Sequence, residues 1–282
     1  MNSTDLYLNL LKKTLTDYLN IDNPYANGIP PQYWWRKTAL KNWRNKLIVN
    51  WLSRSKMIVL REDGYSLDER KRRRMNGVDW PLMQAQTMAG IKRLDSLQTI
   101  MEDLIKRQVE GDVIETGVWR GGSSIFMRAV LKAYNINDKA VWLCDSFEGL
   151  PEPEPDKYPA DEGDAHHSYN FLAVSQETVQ ENFSKYDLLD DKLRFVKGYF
   201  EDTLADIPAD KFCLLRLDGD MYSSTIVALE ALYPKLVQGG YIVIDDFGLG
   251  PCAKAVNDYR KKHGIDAPII DIDGSGAYWL KP

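Results

Sequence analysis

The chain predicts an α/β protein built on an open, doubly wound, mostly parallel sheet of seven strands. A helical extension precedes the sheet, and an antiparallel hairpin closes it. Two observations carry this. From about residue 111, short apolar runs dense in Val, Ile, Leu and aromatics alternate with helix-length segments, a pattern that calls for right-handed crossovers and a parallel sheet. At the C-terminal end, two strand-like runs are separated by only two residues, and a hairpin of that kind cannot be parallel.

The strand candidates are "DVIETGV" (112–118), "AVWLCDS" (140–146), "LRFVKGY" (193–199), "FCLLRLD" (212–218) and "YIVIDD" (241–246). Near-continuous apolar runs suit strands covered on both faces. Between them, 123–134, 175–186, 223–236 and 253–262 read as helices, and "APIIDID" (267–273) with "GAYWLKP" (276–282) forms the hairpin. Residues 148–169 are rich in Pro, Gly and acids. They are long enough for an active-site loop and are expected to be mobile without substrate.

The first part of the chain reads differently. "MNSTDLYLNLLKK" is a helix pattern rather than a signal peptide. Leu40, Trp43, Leu47 and Trp51 recur at helical spacing among basic residues. With no lipidation motif beside them, a stripe packed on the α/β domain or on a second subunit is favoured over a membrane-surface helix. "DERKRRR" (68–74) reads as a solvated face or a mobile segment. The expected division is 1–76, a helical extension serving as substrate lid or oligomer contact, and 77–282, the α/β domain.

Composition sets the class. The chain has 282 residues, a net charge of −5, 44% apolar and 27% charged residues, as in an ordinary globular protein with no electrostatic footprint for nucleic acid. No apolar run approaches the ~20 residues of a membrane span. Cys144, Cys213 and Cys252 are scattered, which favours buried free thiols over a disulfide or zinc site. A cytoplasmic protein is expected.

The strand ends carry the chemistry. The first strand runs into Glu115, Thr116, Gly117, Val118, Trp119, Arg120, Gly121, Gly122 and Ser123. Glycines at a strand-to-helix turn let the backbone approach a ligand. The E-x-G-x-x-x-G pattern lacks the pyrophosphate cradle of G-x-G-x-x-G, and its acid suits an amine or a cation. Asp145, followed by Ser146 and Phe147, ends the second strand, where an acid accepts ribose hydroxyls. A nucleoside with an amino-acid-like tail and no phosphate is S-adenosylmethionine. Asp218 and Asp220 close the fourth strand, and Asp245 and Asp246 the fifth. Adjacent parallel tips converge, so these acids suit Mg²⁺ or another hard divalent cation. Their structural alternatives are an N-cap for Asp220 and turn positions for Asp245 and Asp246.

Taken together, "VIETGVWRGGSS", "CDSFEGLP", "KGYFEDTL", "LLRLDGDMYSST" and "GGYIVIDDFG" resemble the macrocin O-methyltransferase family. "GVDWPLMQAQTMAGIKRLDSL" (77–97) also resembles the segment that precedes the cofactor domain in that family. The resemblance implies a Rossmann-like class I methyltransferase fold and metal-dependent methylation of a hydroxyl, often a sugar hydroxyl, on a natural product. It implies Asp218, Asp245 and Asp246 as metal ligands and Asp220 as general base, with Asp218 as second choice. Glu115 to Gly122, Asp145, Ser146 and Phe147 match cofactor-binding positions, while Thr87 and Met88 match a segment lying over the cofactor. The partner is then a small glycosylated or polyol acceptor, and a homo-oligomer is expected. His166 and His167 lie in the acidic loop, where a histidine can assist proton transfer but is more often incidental. A nicotinamide oxidoreductase would want the missing phosphate cradle, and a non-catalytic binder would be expected to have lost acids that this chain keeps.

Overall fold

The structure, a computed structural model, describes residues 2–23, 64–78 and 84–282. The tryptophan-rich stripe at 40–51 lies outside these residues. Seven strands form one sheet: β1 (Asp112–Thr116), β2 (Val141–Asp145), β3 (Leu193–Lys197), β4 (Phe212–Leu217), β5 (Leu236–Ile244), β6 (Ile270–Asp271) and β7 (Ala277–Leu280). Their order is β3-β2-β1-β4-β5-β7-β6. The first five are parallel, and β7 runs antiparallel to both β5 and β6, as the hairpin required. The winding reverses between β1 and β4, which makes the crevice above their C-terminal ends the place for a ligand.

Side chains alternate between two cores, as strand geometry demands. Val113, Leu143, Leu214 and Val243 face one apolar cluster, and their neighbours Ile114, Trp142, Leu215 and Ile242 face the other. The first cluster is covered by α1 (Ser3–Leu15), α3 (Ile91–Lys106), α4 (Gly122–Ala133) and α5 (Gln176–Ser184). The second is covered by α7 (Tyr222–Leu232) and α8 (Gly250–His263), with Phe200 of the short α6 (Phe200–Thr203) packed against it. Leu8, Leu11 and Leu15 of α1 are buried with Ile125 and Phe126 of α4, so this N-terminal helix is part of the main core. Helix α3, unassigned from sequence, buries Ile91, Leu94, Leu97, Met101 and Leu104, spaced three and four apart as an amphipathic helix requires.

Four expectations are corrected. Helix α7 ends at Leu232, followed by a 3-10 turn at Tyr233–Lys235 that contains Pro234, because proline cannot donate to an α-helical ladder. Strand β5 therefore starts at Leu236 rather than 241. The expected strand 267–273 pairs only at Ile270 and Asp271. The charge run 68–74 is neither uniformly solvated nor irregular. It lies within α2 (Leu67–Asn76), capped by the Ser66 side chain at the Glu69 amide, with Arg70 and Arg74 buried. Arg74 donates to the Thr16 carbonyl at 2.7 Å and so ties α2 to the end of α1.

A candidate active site at the tips of three parallel strands

Register builds the site. Glu115 on β1 pairs with Arg216 on β4, which pairs with Val243 on β5; Thr116, Leu217 and Ile244 form the next row. Asp218 and Asp245 continue that alignment, their amides donating to the Thr116 and Leu217 carbonyls, each at 2.9 Å. The three strands thus stop level, with an acid just beyond β4 and two beyond β5. Gly117 is required where β1 ends. Its φ is +84°, and a Cβ there would lie 1.7 Å from the Asp218 carbonyl oxygen. Only glycine permits both that conformation and that approach.

Positive charge does sit among the acids, and the sequence reading gave it no role. Arg216, 3% exposed, donates to Glu115 (2.5 Å), Asp218 (2.8 Å) and Asp245 (2.5 Å). Arg93 of α3 donates to Asp245 (2.5 Å) and Asp273 (2.9 Å). The signal was visible as an arginine inside the apolar strand "FCLLRLD", since a buried guanidinium needs carboxylate partners. Glu115 is accordingly engaged by Arg216 and by the Ser124 hydroxyl at 1% exposure.

Two guanidiniums do not neutralise this group. Burial pushes Glu115 up to about 7, against the pull of Arg216. Burial also opposes charge on Asp245, but Arg216 and Arg93 outweigh it and hold that carboxyl below the usual range. Asp218 is raised by burial and by Asp245. Burial and Asp220 drive Asp246 well above the ordinary value. Asp220 is pushed up to about 7 by burial and by Asp218. Ionised together, these acids repel one another, and a further cation among them would relieve that. Asp218, Asp245 and Asp246 each offer a carboxylate oxygen, all within 4.8 Å of one another. This is a hard-oxygen donor set of the size a divalent cation spans, so the residues fit a metal.

Asp220 is placed apart from those three. It adopts φ +57°, uncommon for a non-glycine residue, and its amide donates to Asp246 at 3.1 Å. It does not cap α7. The N-cap is Met221, which supplies no side-chain acceptor. The free amides of Tyr222 and Ser223 are bound by Asp161 instead, which removes the capping explanation for Asp220.

A cleft with about 750 Å³ of empty space, its solvent-open mouth included, lies over these tips. Gly117, Asp145, Ser146, Asp218, Gly219 and Asp220 line its floor side, while Glu152, Tyr158, Tyr199 and Phe200 are among its walls. Asp145 accepts from the amides of Val118 (2.6 Å), Trp119 (3.4 Å) and Phe147 (2.7 Å), so it shapes the β1 turn that faces it. The remaining expected cofactor residues lie around or beneath this floor. Thr87 and Ser123 share a hydroxyl contact at 3.2 Å. Arg120 donates to the Ala85 carbonyl at 2.8 Å and lies over the Trp119 ring. Gly122 bonds the Gln86 carbonyl at 2.9 Å. Gly121 precedes α4 at φ +88°. Thr116 and Phe147 are buried, and Met88 is half-buried. The segment around Thr87 is thereby held against the glycine-rich turn. Loop 148–169 is packed along the cleft with two 3-10 turns. Its His166 is paired with Asp164 at 2.7 Å.

The family profile described as Macrocin-O-methyltransferase (TylF) matches residues 4–281. The chain belongs to this family. It is therefore an S-adenosylmethionine-dependent O-methyltransferase. It is 42% identical over 279 residues to the 8-demethyl-8-(2,3-dimethoxy-alpha-L-rhamnosyl)-tetracenomycin-C 4'-O-methyltransferase of Streptomyces olivaceus, covering 99% of this chain and 93% of that protein. It is 48% identical over 210 residues to the demethyldecarbamoylnovobiocin O-methyltransferase of Streptomyces niveus, with 74% and 80% covered. The solved structure of the O-methyltransferase NovP superposes with a TM-score of 0.81 at 38% identity, covering 99% of both chains. Among the described residues no helix is long and apolar enough to cross a membrane.

Proposed function

We propose that this enzyme methylates a hydroxyl of a sugar or other vicinal diol carried by a natural product, using Mg²⁺ or a similar divalent cation. Asp218, Asp245 and Asp246 hold the cation, and Asp220 is the general base. The observation that carries the reading is the gathering of three carboxylates, of which Asp218 lines the cleft, beside a fourth lining residue, Asp220, that caps no helix. The rhamnosyl group in the name of the Streptomyces olivaceus relative supports a sugar acceptor.

S-adenosylmethionine supplies an electrophilic methyl group on a sulfonium. A divalent cation, when bound, stabilises negative charge developing on an acceptor oxygen. The chain's own residues do the rest. Asp220 in its ionised form takes the proton from the acceptor hydroxyl, with Asp218 as the second candidate. Tyr158, Tyr199 and Phe200 offer aromatic faces to the acceptor and restrict its approach, so much of the rate comes from orientation. Asp145 and the glycine-rich turn hold the nucleoside side of the cleft. Arg216 and Arg93 keep Asp245 ionised and therefore able to ligate. A cytoplasmic homo-oligomer completes the proposal, supported by three buried free cysteines and by exposed Leu6 and Leu10 on α1.

The test is turnover on a panel of glycosides bearing vicinal diols, with Mg²⁺ and with chelator. Chelation abolishes turnover and Mg²⁺ restores it. Asp220→Asn lowers kcat by about 10²–10⁴-fold, while calorimetric affinities for S-adenosylmethionine and Mg²⁺ stay within about twofold. Asp245→Asn instead loses metal affinity. Chelator-insensitive turnover, or an Asp220→Asn enzyme of near-normal rate, would overturn the reading.

A further inference from the structure

We propose that Asp161 is a positioning residue. It locks the acceptor-side loop to the start of helix α7, so that docking of the wall and seating of Asp220 are one event. This rests on the reading of Asp220 as base and of the cleft as the acceptor site.

The starting point is a missing cap. A helix leaves its first amides without partners, and Ser, Thr, Asp or Asn at the N-cap normally accepts from them. Helix α7 has Met221 there. The acceptor comes from 61 residues earlier. Asp161, 1% exposed, takes the Tyr222 amide on Oδ1 at 2.7 Å and the Ser223 amide on Oδ2 at 2.9 Å. One carboxylate thus satisfies two orphan donors, at the helix end where negative charge is favoured.

Both segments joined by this contact belong to the cleft. Before Asp161, loop 148–169 supplies Gly149, Leu150, Pro151, Glu152, Glu154 and Tyr158 to the lining. Immediately before Tyr222 lie Asp218, Gly219, Asp220 and Met221. One further contact closes the same seam, the Tyr158 and Tyr222 rings at 6.1 Å, and Lys157 pairs at 3.3 Å with Glu201, another residue of the cleft lining. The Lys157 pair is half-exposed at both partners, and such pairs contribute little. Asp161 is the buried one. Asp220 sits at φ +57° two residues before the capped amide, and a non-glycine residue holds that conformation only where its surroundings determine it. Freeing the Tyr222 and Ser223 amides releases one side of that determination. It also releases the wall that confines the acceptor.

The experiment uses the full chain with S-adenosylhomocysteine and Mg²⁺. It compares Asp161→Ala, the milder Asp161→Asn, and Glu162→Ala as an exposed neighbour. Hydrogen exchange is expected to rise together in 148–169 and 218–225 in Asp161→Ala, less in Asp161→Asn, and not in Glu162→Ala. The strands β1 and β2 stay protected in all three. With an acceptor that the wild type methylates, kcat/KM for that acceptor falls by roughly 2–30-fold in Asp161→Ala, the factor equivalent to one N-cap. Calorimetric affinity for S-adenosylhomocysteine stays within about twofold, and Asp161→Asn recovers part of the loss. Faster exchange in the loop with 218–225 unchanged would overturn the proposal. So would equal losses of cofactor affinity and acceptor efficiency, which a merely structural role produces. The exchange measurement needs no acceptor. A panel with no substrate would therefore count against the proposed function, while the exchange data decide the role of Asp161 separately.

Discussion

Replacing Arg216 by Met removes one guanidinium from three carboxylates while keeping an unbranched chain of similar length in the β4 core. The loss is therefore mainly electrostatic. Arg216 is the donor to Glu115, Asp218 and Asp245 at 2.5–2.8 Å, and among the described residues Glu115 then keeps the Ser124 hydroxyl as its hydrogen-bond partner. Removing one partner of a buried ion pair costs about 3–5 kcal/mol, because the other charge stays buried and uncompensated. A domain's whole stability is about 5–15 kcal/mol, so the variant loses about a fifth or more of it. With a urea m-value near 3 kcal/mol/M, the midpoint in chelator falls by roughly 1–1.7 M. Two further measurements separate charge from packing. Adding Glu115→Gln neutralises one stranded acid, and the double variant recovers part of the midpoint because the two sites share a contact. Saturating Mg²⁺ raises the midpoint more in Arg216→Met than in wild type, since the cation supplies the missing charge to Asp218 and Asp245. A midpoint within about 0.3 M of wild type in chelator would refute the argument that Arg216 holds this cluster together.

Two other outcomes follow from the same geometry. Asp218, Asp220 and Asp246 are all raised in the folded chain above the ordinary Asp value of about 3.9. Between about pH 4 and 7 the folded state then binds more protons at these groups than the unfolded state does, and their contribution to stability is lost as pH rises through that window. Denaturation midpoints in chelator should fall from pH 5 to 7.5, and Mg²⁺ should flatten the slope; a midpoint rising with pH in chelator contradicts this. Gly117→Ala and Gly149→Ala compare equal backbone strain with unequal space, at φ +84° and +97°. The first drives a Cβ to 1.7 Å from the Asp218 carbonyl oxygen and the second meets nothing nearer than 3.5 Å. Thermal melting should show Gly149→Ala losing about 1–2 kcal/mol and Gly117→Ala failing to bind S-adenosylhomocysteine or to fold; similar melts and affinities for both would contradict the close approach of β1 and β4.

Alternation of apolar strands and amphipathic helices made the sheet legible in the sequence, because residues buried on both faces must be apolar along the whole run. The level ends of β1, β4 and β5 were legible for the same reason. Each run stops where a glycine or an acid appears, and parallel neighbours bring such stops together. The family resemblance rested on those stops, and the chain belongs to the family they indicated. The helical face of 91–104 was equally present in the residues but went unassigned. What tertiary structure alone decided is which charges meet. Glu115 sits one residue from a turn whose Gly117 lines the cleft, yet its side chain points to Arg216, 101 residues away. The acidic loop 148–169 has little apolar surface, and it docks through one buried carboxylate onto a helix whose own cap position holds Met221. Arg70 and Arg74 lie in what reads as a solvated charge run, but two turns of helix carry them inward. A linear pattern records where a charge stands along the chain. Its partner across the fold depends on strand register and helix placement, and these exist only once the chain has packed.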